Sequence, residues 1–208
     1  DVDVAMQREL MPAEYNFAPT IIGVDPAWTG DDDFVIMLRQ GNNTKLLGFY
    51  SRNDNDVQMA NLIAQFEDDY QADAVFIDGG FGTGIVSIGH TMGRIDWQIV
   101  WFSEKSMDQG CANKRAEMWE QMRLWLKQGG ALEDDDIMHA DLTGVELTPR
   151  LDGKKLLESK EHMKDRGLAS PNRADALALT FAFPVMSKKV AYNPKVVEQT
   201  VSDYDPMA

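Results

Sequence analysis

The sequence has one cysteine, Cys111, in 208 residues. An intrachain disulfide is therefore excluded, and so is a thiolate cluster for zinc. The three histidines, His90, His139 and His162, are scattered without ligand spacing, which argues further against a zinc site. No apolar run approaches the roughly 20 residues needed to span a bilayer. The start, Asp1-Val2-Asp3-Val4, has neither an initiator Met nor the layout of a signal peptide. The chain is expected to be a fragment or a processed product that works in a reducing cytoplasm, away from membranes. Positive charge is scarce: 20 Lys and Arg stand against 34 Asp and Glu, a net charge of −14. Taken alone, that balance opposes broad nucleic-acid binding, because neutralising phosphates takes Lys and Arg. The distribution softens the objection, since 12 of the 20 bases lie between Lys105 and Arg173.

What is present reads as one domain with a sizeable core. Residues 1–18 are expected to form a linker or arm. Ile21–Asp25, Phe34–Arg39 and Lys45–Tyr50 read as three strands, with Gly41-Asn42-Asn43 as a hairpin turn, and together make an antiparallel meander. A helix follows from about Asp56, with Met59, Leu62, Ile63, Phe66 and Tyr70 on one face. Ala74–Ile77 is a buried strand, Gly79–Gly84 leads into a short helix, and Trp97–Phe102 is a fifth strand. Asn113–Gln128 is a long helix stopped by Gly129-Gly130. The order β-β-β-α-β-α-β-α predicts an α/β fold with a mixed sheet and helices on both faces. Glu133–Asp136 reads as a solvated loop, Leu142–Thr148 as a strand, and Lys154–Lys164 as a strand or short helix. Ser170 is placed as the N-cap of a helix reaching about Phe183. Residues 187–208 are expected to form a flexible tail.

Three acids stand out. Asp25 and Asp78 end apolar strands, and Asp175 lies early in the last helix. A carboxylate at such a place is costly unless something compensates it, and three of them suggest a cation held between oxygen ligands. Asp31 or Asp32, on the turn after Asp25, is a further candidate ligand. Gly80-x-Gly82-x-Gly84 follows a strand, as a nucleotide loop does, but an acid stands directly before it. It reads better as a flexible flank that lets a ligand approach the acids closely. The five tryptophans read as core, with Trp28 the exception beside the first acid.

Particular segments resemble the nuclease domain of the large terminase subunit of tailed bacteriophages. They are Val24-Asp25-Pro26-Ala27 with Gly30-Asp31-Asp32, Phe76-Ile77-Asp78-Gly79-Gly80, Asn113–Met118, Glu158-Ser159-Lys160 and, most specific, Arg166–Leu177. The resemblance spans about residues 20–185 and implies an RNase H-like fold over residues 19–186. It implies that Asp25, Asp78 and Asp175 are the catalytic, metal-binding acids of an endonuclease that cuts concatemeric viral DNA during genome packaging. Two Mg²⁺ or Mn²⁺ ions per site would carry the hydrolysis, one activating water and one stabilising the leaving oxygen. Lys160, Lys154, Lys155, Lys164, Arg166, Lys114 and Arg115 become candidates for contacting DNA. The implied partners are double-stranded DNA, an ATPase domain of the same polypeptide, the small terminase subunit and the portal or procapsid, all in the host cytoplasm. No Gly-x-x-x-x-Gly-Lys-Ser/Thr phosphate loop is present, so the ATPase half lies outside this sequence. Competing readings are a junction-resolvase type of RNase H-like nuclease, a non-catalytic DNA-gripping or docking module, and, more distantly, a nucleotide-binding α/β domain.

Overall fold

The computed structural model describes residues 1–27, 33–51 and 55–188. Trp28, Asp31 and Asp32 lie outside the described residues, as do residues 189–208 of the expected tail. Five strands form one sheet in the order β3-β2-β1-β4-β5. The antiparallel meander is β1 (Thr20–Asp25), β2 (Asp33–Gln40) and β3 (Asn43–Ser51). The strands β4 (Ala74–Asp78) and β5 (Trp97–Val100) then add in parallel to β1. This is the topology expected of an RNase H-like fold.

Period-2 alternation divides the strands between two cores. Ile22, Val24, Phe34, Ile36, Val75 and Ile77 face one side. There they meet α2 (Asp56–Tyr70) and α3 (Gly79–Thr91). Asn55 caps α2, its side chain accepting from Gln58 N at 3.0 Å, and Met59 and Ile63 supply the buried face. Ile21, Val35, Met37 and Phe76 face the other side, toward α4 (Lys114–Lys127), α5 (Asp136–Gly144) and α7 (Asn172–Leu179). The remaining short helices are α1 (Val2–Met6) and α6 (Lys160–Asp165). The arm at 1–18 is docked: Ala5 is buried in the second core, and Arg8 donates to the carbonyls of Leu126 and Gly130. Among the described residues, no helix is long and apolar enough to cross a membrane.

Four expectations need correction. The glycines after Asp78 are not a flexible flank but the first turns of α3, which starts without any loop. Glycine is unfavourable in a helix by about 1 kcal/mol, and here close packing demands it. A Cβ on Gly82 would stand 2.4 Å from Ile77 Cγ2, and one on Gly79 would stand 2.6 Å from the Trp101 ring. The acidic run at 133–136 is not simply solvated, because Asp135 caps α5 and pairs with Arg173, and Glu133 accepts from Leu46 N. Leu142–Thr148 is not a strand: its first residues close α5, and Leu147 makes only an isolated bridge to Leu157. Ser170 is not the cap of α7. Pro171 holds that position, and the Ser170 hydroxyl is buried without a partner among the described residues.

Candidate active site

The alternation that sorts the cores also aims the acids. Asp25 follows Ile21 and Gly23 on the α7 side of β1, and Asp78 follows Ala74 and Phe76 on the same side of β4. The parallel register sets Val24 beside Ile77, so Asp25 and Asp78 end neighbouring strands side by side. Gly23 brings the third acid in. A Cβ there would stand 2.1 Å from the Ala176 carbonyl, so only glycine lets α7 cross β1 this closely. Asp141 of α5 holds the start of α7 by accepting from Arg173 N at 2.8 Å and Ala174 N at 3.3 Å.

The resulting cleft of about 320 Å³ is lined by Asp25, Asp78, Arg115, Lys160 and Asn172 on its polar side. Lys160 Nζ lies 3.0 Å from Asp25 Oδ2, 3.5 Å from Asp175 Oδ2 and 3.3 Å from Asn172 Oδ1. Asp175 is fully buried behind these groups. Its carboxylate accepts from Arg115 through Nε at 2.9 Å and Nη2 at 3.1 Å, and from the Trp119 indole at 2.8 Å. Arg115 also donates to the Glu158 carbonyl at 2.9 Å. The triad is thus brought together, but not as a preformed cage. Among the described residues no three Asp, Glu, His or Cys side chains are poised to enclose a metal. Two carboxylates face the cleft, and the third is engaged by cations of the protein.

The electrostatics separate the three acids. Burial pushes Asp25 up to about 7; Lys160 opposes this, while the charges of Asp175 and Asp78 add to it. Burial raises Asp78 to about 6 against the pull of Lys160 and of the Gly79 and Gly80 N–H groups that open α3. Burial would raise Asp175 too, but Arg115 and Lys160 outweigh it and hold that carboxyl below its ordinary value. Burial would lower Lys160, and the charges on Asp25 and Asp175 override it and raise the ammonium instead. The ammonium therefore occupies the place between two carboxylates that a cation satisfies. Buried, mutually repelling oxygen donors of this kind suit a hard divalent ion.

The expected DNA-contacting bases do not share one fate. Lys160 and Arg115 line the cleft, Arg115 almost wholly buried. Lys114 is not a surface cation: it is buried on Glu117 at 2.7 Å and over the Phe183 ring. The two bases open α4 against its dipole because two acids compensate them. Lys154 is exposed, and Lys155 pairs with Glu120 at 2.8 Å on another side of α4. Arg166 braces Glu158 at 2.8 Å, and Lys164 lines a neighbouring cleft that shares Asn172. Sequence reasoning missed Asp141, Asn172 and Trp119, and took Trp101 for core. The pairing of Trp119 and Asp141 with α7 is tertiary and leaves no local pattern. Trp101 carried a faint signal, as an aromatic just past a strand end level with Asp78.

No family model matches the sequence, and no curated protein matches it. Solved structures do. The chain is similar to a variant of the nuclease domain of the large terminase subunit gp2 of bacterial virus Sf6, solved with manganese and β-thujaplicinol. That match has 21% identity and a TM-score of 0.68, over 80% of this chain and 89% of that one. It is similar also to the large terminase nuclease of thermophilic phage G20c with bound magnesium, at 14% identity and a TM-score of 0.59 over 79% and 81%. The large terminase nuclease domain of Thermus phage P74-26 matches at 16% identity and a TM-score of 0.58 over 84% and 82%. Those domains have an RNase H-like fold, and this chain shares it.

Proposed function

We propose that the chain is the nuclease domain of a phage DNA-packaging terminase, a metal-dependent endodeoxyribonuclease that cuts concatemeric viral DNA. The observation that carries this reading is the pair Asp25 and Asp78, set side by side at parallel strand ends in one cleft, Asp25 buried and Asp78 half-buried, with the Lys160 ammonium against Asp25. The likeness in fold to phage nucleases solved with manganese or magnesium supports it. The nuclease domain in this reading spans 19–186. Its partners are DNA, an ATPase half of the same polypeptide, the small terminase subunit and the portal.

Asp25 and Asp78 would hold Mg²⁺ or Mn²⁺ directly, with Asp175 as the third acid of the site. Bound there, divalent ions supply a polarised phosphate and an activated water. The chain's own residues do the rest. Arg115 and Trp119 fix the Asp175 carboxylate. Asn172 orients Lys160, whose ammonium lies between Asp25 and Asp175 and keeps the two acids from repelling one another. Asp141 holds α7, and with it Asp175, against the sheet. Supercoiled plasmid incubated with Mn²⁺ or Mg²⁺ tests this: nicking and linearisation are expected, lost with EDTA and in Asp25→Asn. Cleavage that persists in Asp25→Asn would overturn the assignment. With a net charge of −14 opposing encounter with DNA, the domain alone should cut more slowly than one joined to its ATPase half.

A further inference from the structure

The cleft has a second side that the metal chemistry leaves unused. Pro26, Phe81, Trp101 and Phe102 line the same cleft as the acids and Lys160. Trp101 directly follows β5, where Val100 is in register with Asp78. One part of its indole packs against Gly79, the residue after Asp78, so closely that a Cβ there would stand 2.6 Å from ring atoms Cδ2 and Cε3. Trp101 is nonetheless 42% exposed, and Phe81, one turn into α3, is 44% exposed. Trp97, Trp119 and Trp125 are buried at 8% or less. A large aromatic held rigidly by a glycine, yet open to the cleft beside an acid, differs from its buried counterparts in what it offers a ligand. Its surface is flat, apolar and already ordered.

We infer that Trp101 forms a base-stacking subsite, and that it takes a base at the cut that is unpaired or flipped out of the duplex. This deepens the nuclease reading and rests on it. The two sides of the cleft match the two parts of one nucleotide. The side with Lys160 and the acids, once charged with cations, takes the phosphate, and the aromatic side takes the base. Inside an intact duplex both faces of every base are covered by stacked neighbours. Only a base at a gap, a frayed end or a single strand, or one flipped out of the stack, can offer a face to an indole. Flipping costs a few kcal/mol, least where pairing is already lost. Stacking on an aromatic side chain is tolerant of sequence, which suits a nuclease that reads strand state rather than base identity.

The test is binding of the whole chain, with Ca²⁺ supplied as the divalent ion and at low salt, to a short oligonucleotide carrying one 2-aminopurine, as a single strand and as a duplex. The single strand should bind about five-fold or more tightly than the duplex, with its 2-aminopurine quenched on binding. Trp101→Ala should weaken single-strand binding roughly ten-fold and duplex binding less than about two-fold, while Trp101→Tyr retains most of the preference. Equal binding of the two forms, no binding of either, or an equal loss on both in Trp101→Ala overturns the inference. Should the Ala variant not fold, the wild-type preference and quenching decide alone. The plasmid assay separates the two proposals. A chain that cuts plasmid but shows no single-strand preference keeps the nuclease reading and loses this one. A chain with a Trp101-dependent preference that never cuts keeps the stacking subsite and overturns the nuclease reading, and with it the placing of that base at a cut.

Discussion

On the α2–α3 face of the sheet, apolar side chains meet apolar side chains, and a buried acid, Glu67, accepts from the Trp97 indole at 2.8 Å. On the α4–α7 face, the apolar core is threaded with buried charge: Lys114 on Glu117, Arg115 on Asp175, Lys160 on Asp25, and Asp141 on the first turn of α7. The first face is built for stability alone. In the proposed reading the second gives up stability to hold carboxylates for a cation and a phosphate, because a buried ion pair seldom outperforms well-packed apolar residues. The strands are common to both faces, so alternation along β1 and β4 decides which face each residue serves.

The sharpest way to break the charged face is Arg115→Ala. It leaves Asp175 buried without its bidentate partner and should cost about 3–5 kcal/mol in urea or guanidinium unfolding. A cost under about 1 kcal/mol would mean that Trp119 and Lys160 suffice for Asp175. Next in size is Gly23→Ala, where the added methyl meets the Ala176 carbonyl. The overpacking should cost about 1–3 kcal/mol and displace α7, so cleavage should fall more than stability does. Ile63→Val on the apolar face should cost about 1 kcal/mol and leave cleavage and metal binding unchanged, which shows whether the two faces are separable.

A graded effect accompanies these. The folded chain holds Asp25 and Asp141 up at about 7 and Asp78 at about 6, against an ordinary value of 3.8. Between about pH 4 and 7 the folded state therefore binds more protons than the unfolded one, and stability falls as pH rises through that window. Melting without metal should show this decline from Asp25, Asp78 and Asp141. Saturating Mg²⁺ or Mn²⁺ should flatten it by letting the carboxylates at the cleft ionise at little cost. A melting temperature that climbs steadily from pH 4 to 7 without metal would contradict the assigned burial of these acids.

The same contrast explains what was legible in the sequence. The apolar face was: Met59 and Ile63 at helical spacing, and the alternating strands, state their burial locally. Asp25 and Asp78 were legible as strand-end acids, and two strands of the same period carry them to the same side. The charged face was much less so. Nothing near Arg115 says that Asp175 awaits it, and Glu117, three residues beyond Lys114, does not say that their pair is buried, so both looked like surface cations. The glycines from Gly79 to Gly84 looked like a loop because glycine disfavours helix. The close approach of Ile77 and Trp101 that requires them is a tertiary fact. Ser170 looked like a cap by residue type, and the structure caps α7 from outside, with Asp141.

The account turns on Asp25 and Asp78 being cation ligands, and Mn²⁺ titration of the chain by calorimetry or electron paramagnetic resonance, without DNA, tests that directly. Saturable binding is predicted, weakened about ten-fold or more in Asp25→Asn and in Asp78→Asn and unchanged in Ile63→Val. Binding that survives undiminished in both Asn variants would contradict it.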